Sequence, residues 1–299
     1  MSVAASAITG VALMSMWRIN VKKRNMFLAA CAALSFVGVA NAASIVGVTE
    51  NNNLVTFDSS NPGSFISNVA ITGTTAAFLA LDVRDSNGLL YGLGDDLTIY
   101  TINQFSGLAA AVGGPLAITG TNFGFDFNTA VDAIRVVSNN GSNYTINPNT
   151  GTLNGTFTPV AFAAGDPNAG FVPNVTANGY IHGSPSQFAI STSRDSLVTQ
   201  ANNAGTLNTV GSLGVAVGPR TTFDIGFDGV GYLADVGQFY TVNLNTGAAT
   251  LVGNLERPVF GITALAPAIP EPATWMMMLF GFGFIGAAMR RSTKRHSFA

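Results

Sequence analysis

Cysteine is all but missing from this 299-residue chain, with Cys31 the only one. Cys31 sits in an apolar segment near the N-terminus. The rest of the chain therefore has no thiol for a disulfide, a thiolate metal site or a cysteine nucleophile. Charge is scarce too, at 9% of residues, against a usual quarter. Between residues 43 and 269 there is no lysine, and five arginines face fourteen acids, giving 5 − 14 = −9. An acidic body without lysine argues against a nucleic-acid partner, because phosphate contacts draw on clustered Lys and Arg. His182 is the only histidine in that body, His296 lying in the tail. One histidine without cysteine cannot build a zinc site, and no Gly-x-Ser-x-Gly elbow accompanies it. Helical patterning is nearly absent, so no glycine-rich loop opens a helix to hold phosphate.

The basic residues that do occur lie at the two ends. Arg18, Lys22, Lys23 and Arg24 precede the apolar run 26–40, and Ala40-Asn41-Ala42 follows as a small-x-small cleavage site. That order is the layout of a secretory signal peptide, cut by signal peptidase. A start at Met16 gives this signal an ordinary length. A lipidated Cys31 in Leu28-Ala29-Ala30-Cys31 is the alternative, but the apolar run continues past the cysteine. At the other end, 273–289 is uncharged and is followed by Arg290, Arg291, Lys294 and Arg295. At ~1.5 Å per residue this run makes a helix about 25 Å long, just enough to span a bilayer core. Positive charge after the helix puts the body outside the cytoplasm, the same side the N-terminal signal demands. The expected division is 1–42 as extension and signal, 43–267 as body and 268–299 as tail.

Pro270-Glu271-Pro272 stands directly before that helix, where proline ends regular structure and keeps the tripeptide extended. The tripeptide, the helix and Arg290-Arg291 together resemble the PEP-CTERM sorting signal of Gram-negative bacteria. The resemblance implies recognition by an exosortase, removal of the tail, and delivery to the cell surface or to an exopolysaccharide matrix such as a biofilm. Membrane attachment through the helix is then transient.

The body repeats itself. In four copies a threonine is followed six residues later by glycine: Thr101/Gly107, Thr145/Gly151, Thr199/Gly205 and Thr241/Gly247. A fifth copy has Thr56 and Gly63, and the steps between threonines are 45, 44, 54 and 42. Each copy reads as strand, turn, strand, with a further strand and turn before it. A leading apolar strand precedes most copies, in 78–83, 123–127 and 224–228. Four short strands in about 45 residues make the blade of a β-propeller. The first copy lacks a leading strand, and 260–265 is a leading strand with nothing after it. Joining the two predicts an all-β, five-bladed propeller closed by pairing of its N- and C-terminal strands. A two-sheet sandwich is the alternative, against which the regular period speaks. The fourth copy is longer, and 164–186 reads as a Gly-, Pro- and Asn-rich loop of the kind that carries function or merely connects.

The text of 119–153, 163–170, 205–215 and 239–254 also resembles a bacterial family catalogued as domain of unknown function 4394. Asn128-Thr129 and Asp132-Ala133 replace Asn-Pro and Asp-Arg of that pattern. The resemblance implies an exported propeller-like domain and assigns no activity.

Asp82, Asp126 and Asp228 end apolar dipeptides in the leading strands. Channel acids at equivalent positions could gather and hold Ca²⁺ through oxygen ligands. Alternatively, each bonds backbone N–H groups in the turn that follows, which is the commoner habit of Asp. Arg84 and Arg135 lie beside inner strands and could pair with Asp82 or Asp126, or grip an anionic sugar. His182 completes the set of ligand-site candidates. No cofactor and no catalysis are expected. The body is expected to bind, or to build structure, with extracellular polysaccharide as partner. The rival is a carbohydrate-active hydrolase or lyase working through the channel acids.

Overall fold

The computed structural model describes residues 42–267, 279–286 and 290. Residues 44–264 form five antiparallel sheets, arranged as the blades of a propeller. Blade I contains Val259–Ala264, Ser44–Thr49, Asn53–Asp58 and Asn61–Ala70. Blade II contains Phe78–Arg84, Leu89–Gly94, Ile99–Ile102 and Ala109–Ala111. Blade III contains Phe123–Asn128, Ala133–Ser138, Asn143–Asn147 and Thr152–Thr156. Blade IV contains Val175–Tyr180, Gln187–Ser191, Ser196–Ala201 and Thr206–Ser212, with Ala161–Phe162 added in parallel at its outer edge. Blade V contains Thr222–Ile225, Gly231–Asp235, Gln238–Val242 and Ala249–Asn254. In each blade the first-named strand is innermost.

Blade I joins the two ends of the body, as the period predicts: Ile45 pairs with Ala264 and Gly47 with Ile262. An otherwise open sheet edge at each end is thereby filled. Apolar clusters then fill the spaces between blades. Leu93, Ile99, Phe125, Phe127 and Ile134 pack between blades II and III. Ile45, Phe57, Phe239 and Ile262 pack between blades V and I.

The repeated glycines have a definite job. Gly107, Gly151, Gly205 and Gly247 adopt φ of 71°, 63°, 69° and 79°, a left-handed conformation that favours glycine. The N–H of each closes its turn, on the carbonyl of Asn103, Asn147, Ala201 and Asn243. A Cβ on any of them would also strike a backbone carbonyl of the preceding blade or the segment leaving it: Ala70, Val112, Thr158 or Gly211. The spacing thus marks where each blade's last turn docks on its predecessor.

Two expectations are corrected. The segment 164–186 contains a strand, Val175–Tyr180, which is the innermost strand of blade IV. Its sequence, VTANGY, hides that role because an inner strand is buried on both faces and shows no alternation. The innermost strand of blade V is Thr222–Ile225, so it ends before Asp228.

Candidate functional site

The five innermost strands surround a channel, and they place one residue each at the same level. Asp82 accepts the N–H of Phe127, one residue past Asp126, at 2.7 Å. Asp126 accepts the N–H of Tyr180, one past Gly179, at 3.1 Å. Asp224 accepts the N–H of Ala264, one past Thr263, at 2.6 Å. Thr263 in turn donates its hydroxyl to Asp82 at 2.9 Å. The level is therefore Asp82, Asp126, Gly179, Asp224 and Thr263. Gly179 breaks the series, and a Cβ there would lie 3.1 Å from the Ile225 Cγ1 and 3.2 Å from its backbone nitrogen, a tight fit. Each acid ties its blade to the next through a backbone N–H.

The three acids each bring one carboxylate oxygen within 4.8 Å of the others, and all three are buried. Charge is costly there, since burial disfavours the ionised form and like charges add to it. Burial and the Asp224 charge push Asp82 up to about 8. Burial and its two acidic neighbours raise Asp126 well above the usual carboxylate range, and burial raises Asp224 as well. Near neutral pH the cluster holds protons, and its steps of titration belong to the group. Among the described residues this cluster has the best arrangement for a cation. Calcium takes six to eight oxygens, however, and backbone N–H groups already occupy oxygens on all three acids.

The other sequence candidates lie elsewhere. Asp228 is not a channel acid. It sits in the turn between Thr222–Ile225 and Gly231–Asp235, accepting the N–H of Val230 at 3.0 Å and the hydroxyl of Tyr232 at 2.6 Å. Asp224 takes the channel position. The signal was countable: Asp82, Asp126 and Asp224 each stand seven residues before the first residue of the next strand, Leu89, Ala133 and Gly231. Neither arginine pairs with a channel acid. Arg84 makes a two-pronged ion pair with Asp132, at 2.8 and 2.5 Å, and bonds Asn149. That partner holds Asp132 below the usual carboxylate range. Arg135 bonds Tyr180, Asn143 and Asn203, and lies over the Phe157 ring. Cross-strand pairing sets Arg135 opposite Asp126, but its guanidinium turns to the gap between blades III and IV.

His182 stands just past the end of Val175–Tyr180. Its Nδ1 lies 3.0 Å from Asp85, and its ring stacks on Phe227 with centroids 3.7 Å apart. Next to it the N–H of Gly183 bonds the Thr129 hydroxyl. The turn 181–186 thus reaches from blade IV to the ends of the innermost strands of blades II, III and V. Burial works against the imidazolium, but the hydrogen bond and charge of Asp85 outweigh it and raise the His182 pKa.

At the opposite end, where the innermost strands begin, the channel widens into a cavity of about 180 Å³. Its wall stops one residue short of the acid level, at Leu81, Phe125, Asn178, Phe223 and Ile262. Glu50 and Arg220 stand at its mouth as exposed charges. The Arg220 guanidinium lies 4.4 Å from the centroid of the Phe260 ring.

Of the sequence ends, Ala42 is exposed and outside any strand. Ala40, Pro270, Glu271, Pro272 and Arg291 lie outside the described residues, as does the expected signal peptide. Residues 279–286 are helical and exposed, and Arg290 is helical. Among the described residues no helix is long and apolar enough to cross a membrane, and most of the expected span 273–289 lies outside them.

The family model described as "Domain of unknown function (DUF4394)" matches residues 53–266. The model of the PEP-CTERM protein-sorting motif matches residues 268–292. No curated protein matches the chain. A chain from the crystal structure of a nidogen/laminin complex superposes with a TM-score of 0.49 at 8% identity, covering 75% of this chain and 98% of its own length.

Proposed function

Because the chain belongs to the DUF4394 family and ends in a PEP-CTERM sorting motif that makes it an exported, exosortase-processed protein, we propose that its propeller acts at the cell surface or in the matrix as a non-catalytic binding protein for extracellular polysaccharide. The observation that carries this reading is the state of the channel acids. A glycosidase or lyase needs carboxyls that reach a substrate and a water. Asp82, Asp126 and Asp224 are only 6%, 4% and 4% exposed, and each gives an oxygen to a strand N–H group of a neighbouring blade. Their raised pKa values come from burial inside the wall, below the floor of the open cavity. In this reading the cluster keeps its protons and takes no cofactor. Anchoring through the C-terminal helix precedes tail removal and ends with it.

The test uses protein recovered from the producing cells' matrix, incubated with the exopolysaccharide of the same cells. Co-sedimentation without new reducing or unsaturated ends is the expected result. New chain ends would establish the hydrolase or lyase instead, and neither binding nor cleavage would end the reading.

A further inference from the structure

Opposite the cavity, the channel is crossed by one short connection. The turn 181–186 follows the innermost strand of blade IV and touches three other blades. His182 Nδ1 lies 3.0 Å from Asp85 of blade II, and its ring stacks on Phe227 of blade V at 3.7 Å. The Gly183 N–H donates to the Thr129 hydroxyl of blade III at 3.0 Å. The other hydrogen bonds of the turn stay within blade IV. Its hold on the neighbouring blades through polar contacts therefore rests on His182 and Gly183. Asp82, Asp126 and Asp224 stand one or two residues inside the ends of their strands, Arg84, Asn128 and Ile225. His182 is close enough to Asp224 and Asp82 to feel any charge on them. The acid level thus lies between the cavity floor on one side and this turn on the other.

The grip of His182 changes with its proton. Protonated, the ring makes a charge-assisted pair with Asp85 and gains from the face of Phe227. Neutral, it keeps an ordinary hydrogen bond. Its other nitrogen, Nε2, is shut off from solvent and has no hydrogen-bond partner among the described residues. The titratable groups that face it are few. Blade II offers Asp85 and Asp82, and blade V offers Asp224. Asp126 of blade III belongs to the same acid level. Asp132 of blade III is taken by Arg84, and Asp228 of blade V by Tyr232. The innermost strand of blade I carries no charged residue. Burial opposes the imidazolium and Asp85 favours it, with the higher pKa as the outcome. The contribution of His182 to closure is therefore full below the free histidine value of about 6.5, and it is lost as pH rises through the raised value. Opening also lets water reach the acids, whose burial is the first cause of their raised values. They then shed protons too, so closing the turn and binding protons reinforce each other.

We infer that the turn 181–186 is a proton-controlled strap across the channel: protonated His182 holds it shut on Asp85 and Phe227, and loss of that proton frees it and opens the acid level to water. This device stands apart from the binding reading above and does not depend on it. Ring-proton NMR of the secreted protein, with His182 assigned by its absence in His182→Gln, gives the titration. Amide hydrogen exchange gives the opening at Gly183. His182 should titrate above about 6.5, and Asp85→Asn should bring it down, since burial then acts with less opposition. Corrected for base catalysis, the Gly183 N–H should open about tenfold more readily above the His182 pKa than below it. The Gly247 N–H of blade V, bonded to the Asn243 carbonyl, should keep its protection over the same range. His182→Gln should erase the step at Gly183. A step that survives in His182→Gln would assign the opening to the acids and overturn the strap. Gly183 protection that ignores pH would overturn it as well, and so would a His182 titration that Asp85→Asn leaves in place.

Discussion

Between blades V and I, Phe57 meets Phe239 edge-on at 5.2 Å, and within blade V Tyr232 stacks on Phe239 at 5.8 Å. Between blades III and IV the same gap is bridged by Arg135, Tyr180, Asn143, Asn202 and Asn203 in a hydrogen-bonded chain. The apolar cluster there is small, with Val137, Val160, Val175, Ala189, Val198 and Leu207. The first junction joins the ends of the body and relies on aromatic packing, which needs little from its neighbours except shape. The second depends on every partner being present, because a half-satisfied buried network is costly. All the unpartnered buried side-chain atoms of the described residues fall between Asn174 and Gln200, in blade IV. The blade that departs from the repeat is thus also the one with polar groups to spare, and it supplies the cavity floor and the His182 turn.

The contrast can be broken most strongly at Phe239, which is fully buried. Phe239→Ala should cost about 3–5 kcal/mol, measured by denaturant unfolding, and a loss under about 1 kcal/mol would deny the closing junction its role. Arg135→Met should cost less, about 2–3 kcal/mol, by stranding Tyr180, Asn143 and Asn203. If it proves neutral, the polar junction is packing and not a network.

A further test is set by pH. Asp82, Asp126 and Asp224 have raised pKa values in the folded state, so the folded chain binds more protons than the unfolded one. Their contribution is full below the unfolded carboxylate value of about 4 and is lost as pH rises, for Asp82 through about 8. Each extra bound proton lowers stability by up to about 1.4 kcal/mol per pH unit. Unfolding should become easier from pH 5 to pH 8, and Asp82→Asn should flatten the slope. Hydrogen exchange should show the N–H of Tyr180, at the polar junction, opening before that of Ala264. Equal protection would mean that the acids alone, and not the packing behind them, set junction strength.

The ring was legible because its marks are local. Gly107, Gly151, Gly205 and Gly247 must adopt φ > 0 and must approach a carbonyl, so the residue type repeats with the geometry. Val175–Tyr180 was hidden because burial on both faces erases alternation and Asn178 reads as loop text. Asp228 was chosen by its Phe-Asp dipeptide, a feature of composition, whereas Asp224 is fixed by its distance to the next strand. The partners of Arg84 and Arg135 were beyond reach. Asp132 is 48 residues from Arg84 and Asn203 is 68 from Arg135, and only the stacking of successive blades brings them together.

The sharing of blade I between the chain's two ends also sets an order in time. Ile45 waits for Ala264 across 264 − 45 = 219 residues, a separation whose closure comes late because local pairings form first. Four blades can assemble as they are made, but blade I lacks its innermost strand until Val259–Ala264 exists. The sorting motif matched from residue 268 follows within a few positions. The last piece needed to finish the body and the address that dispatches it are therefore made almost together, so a chain complete enough to be sorted is also complete enough to shut.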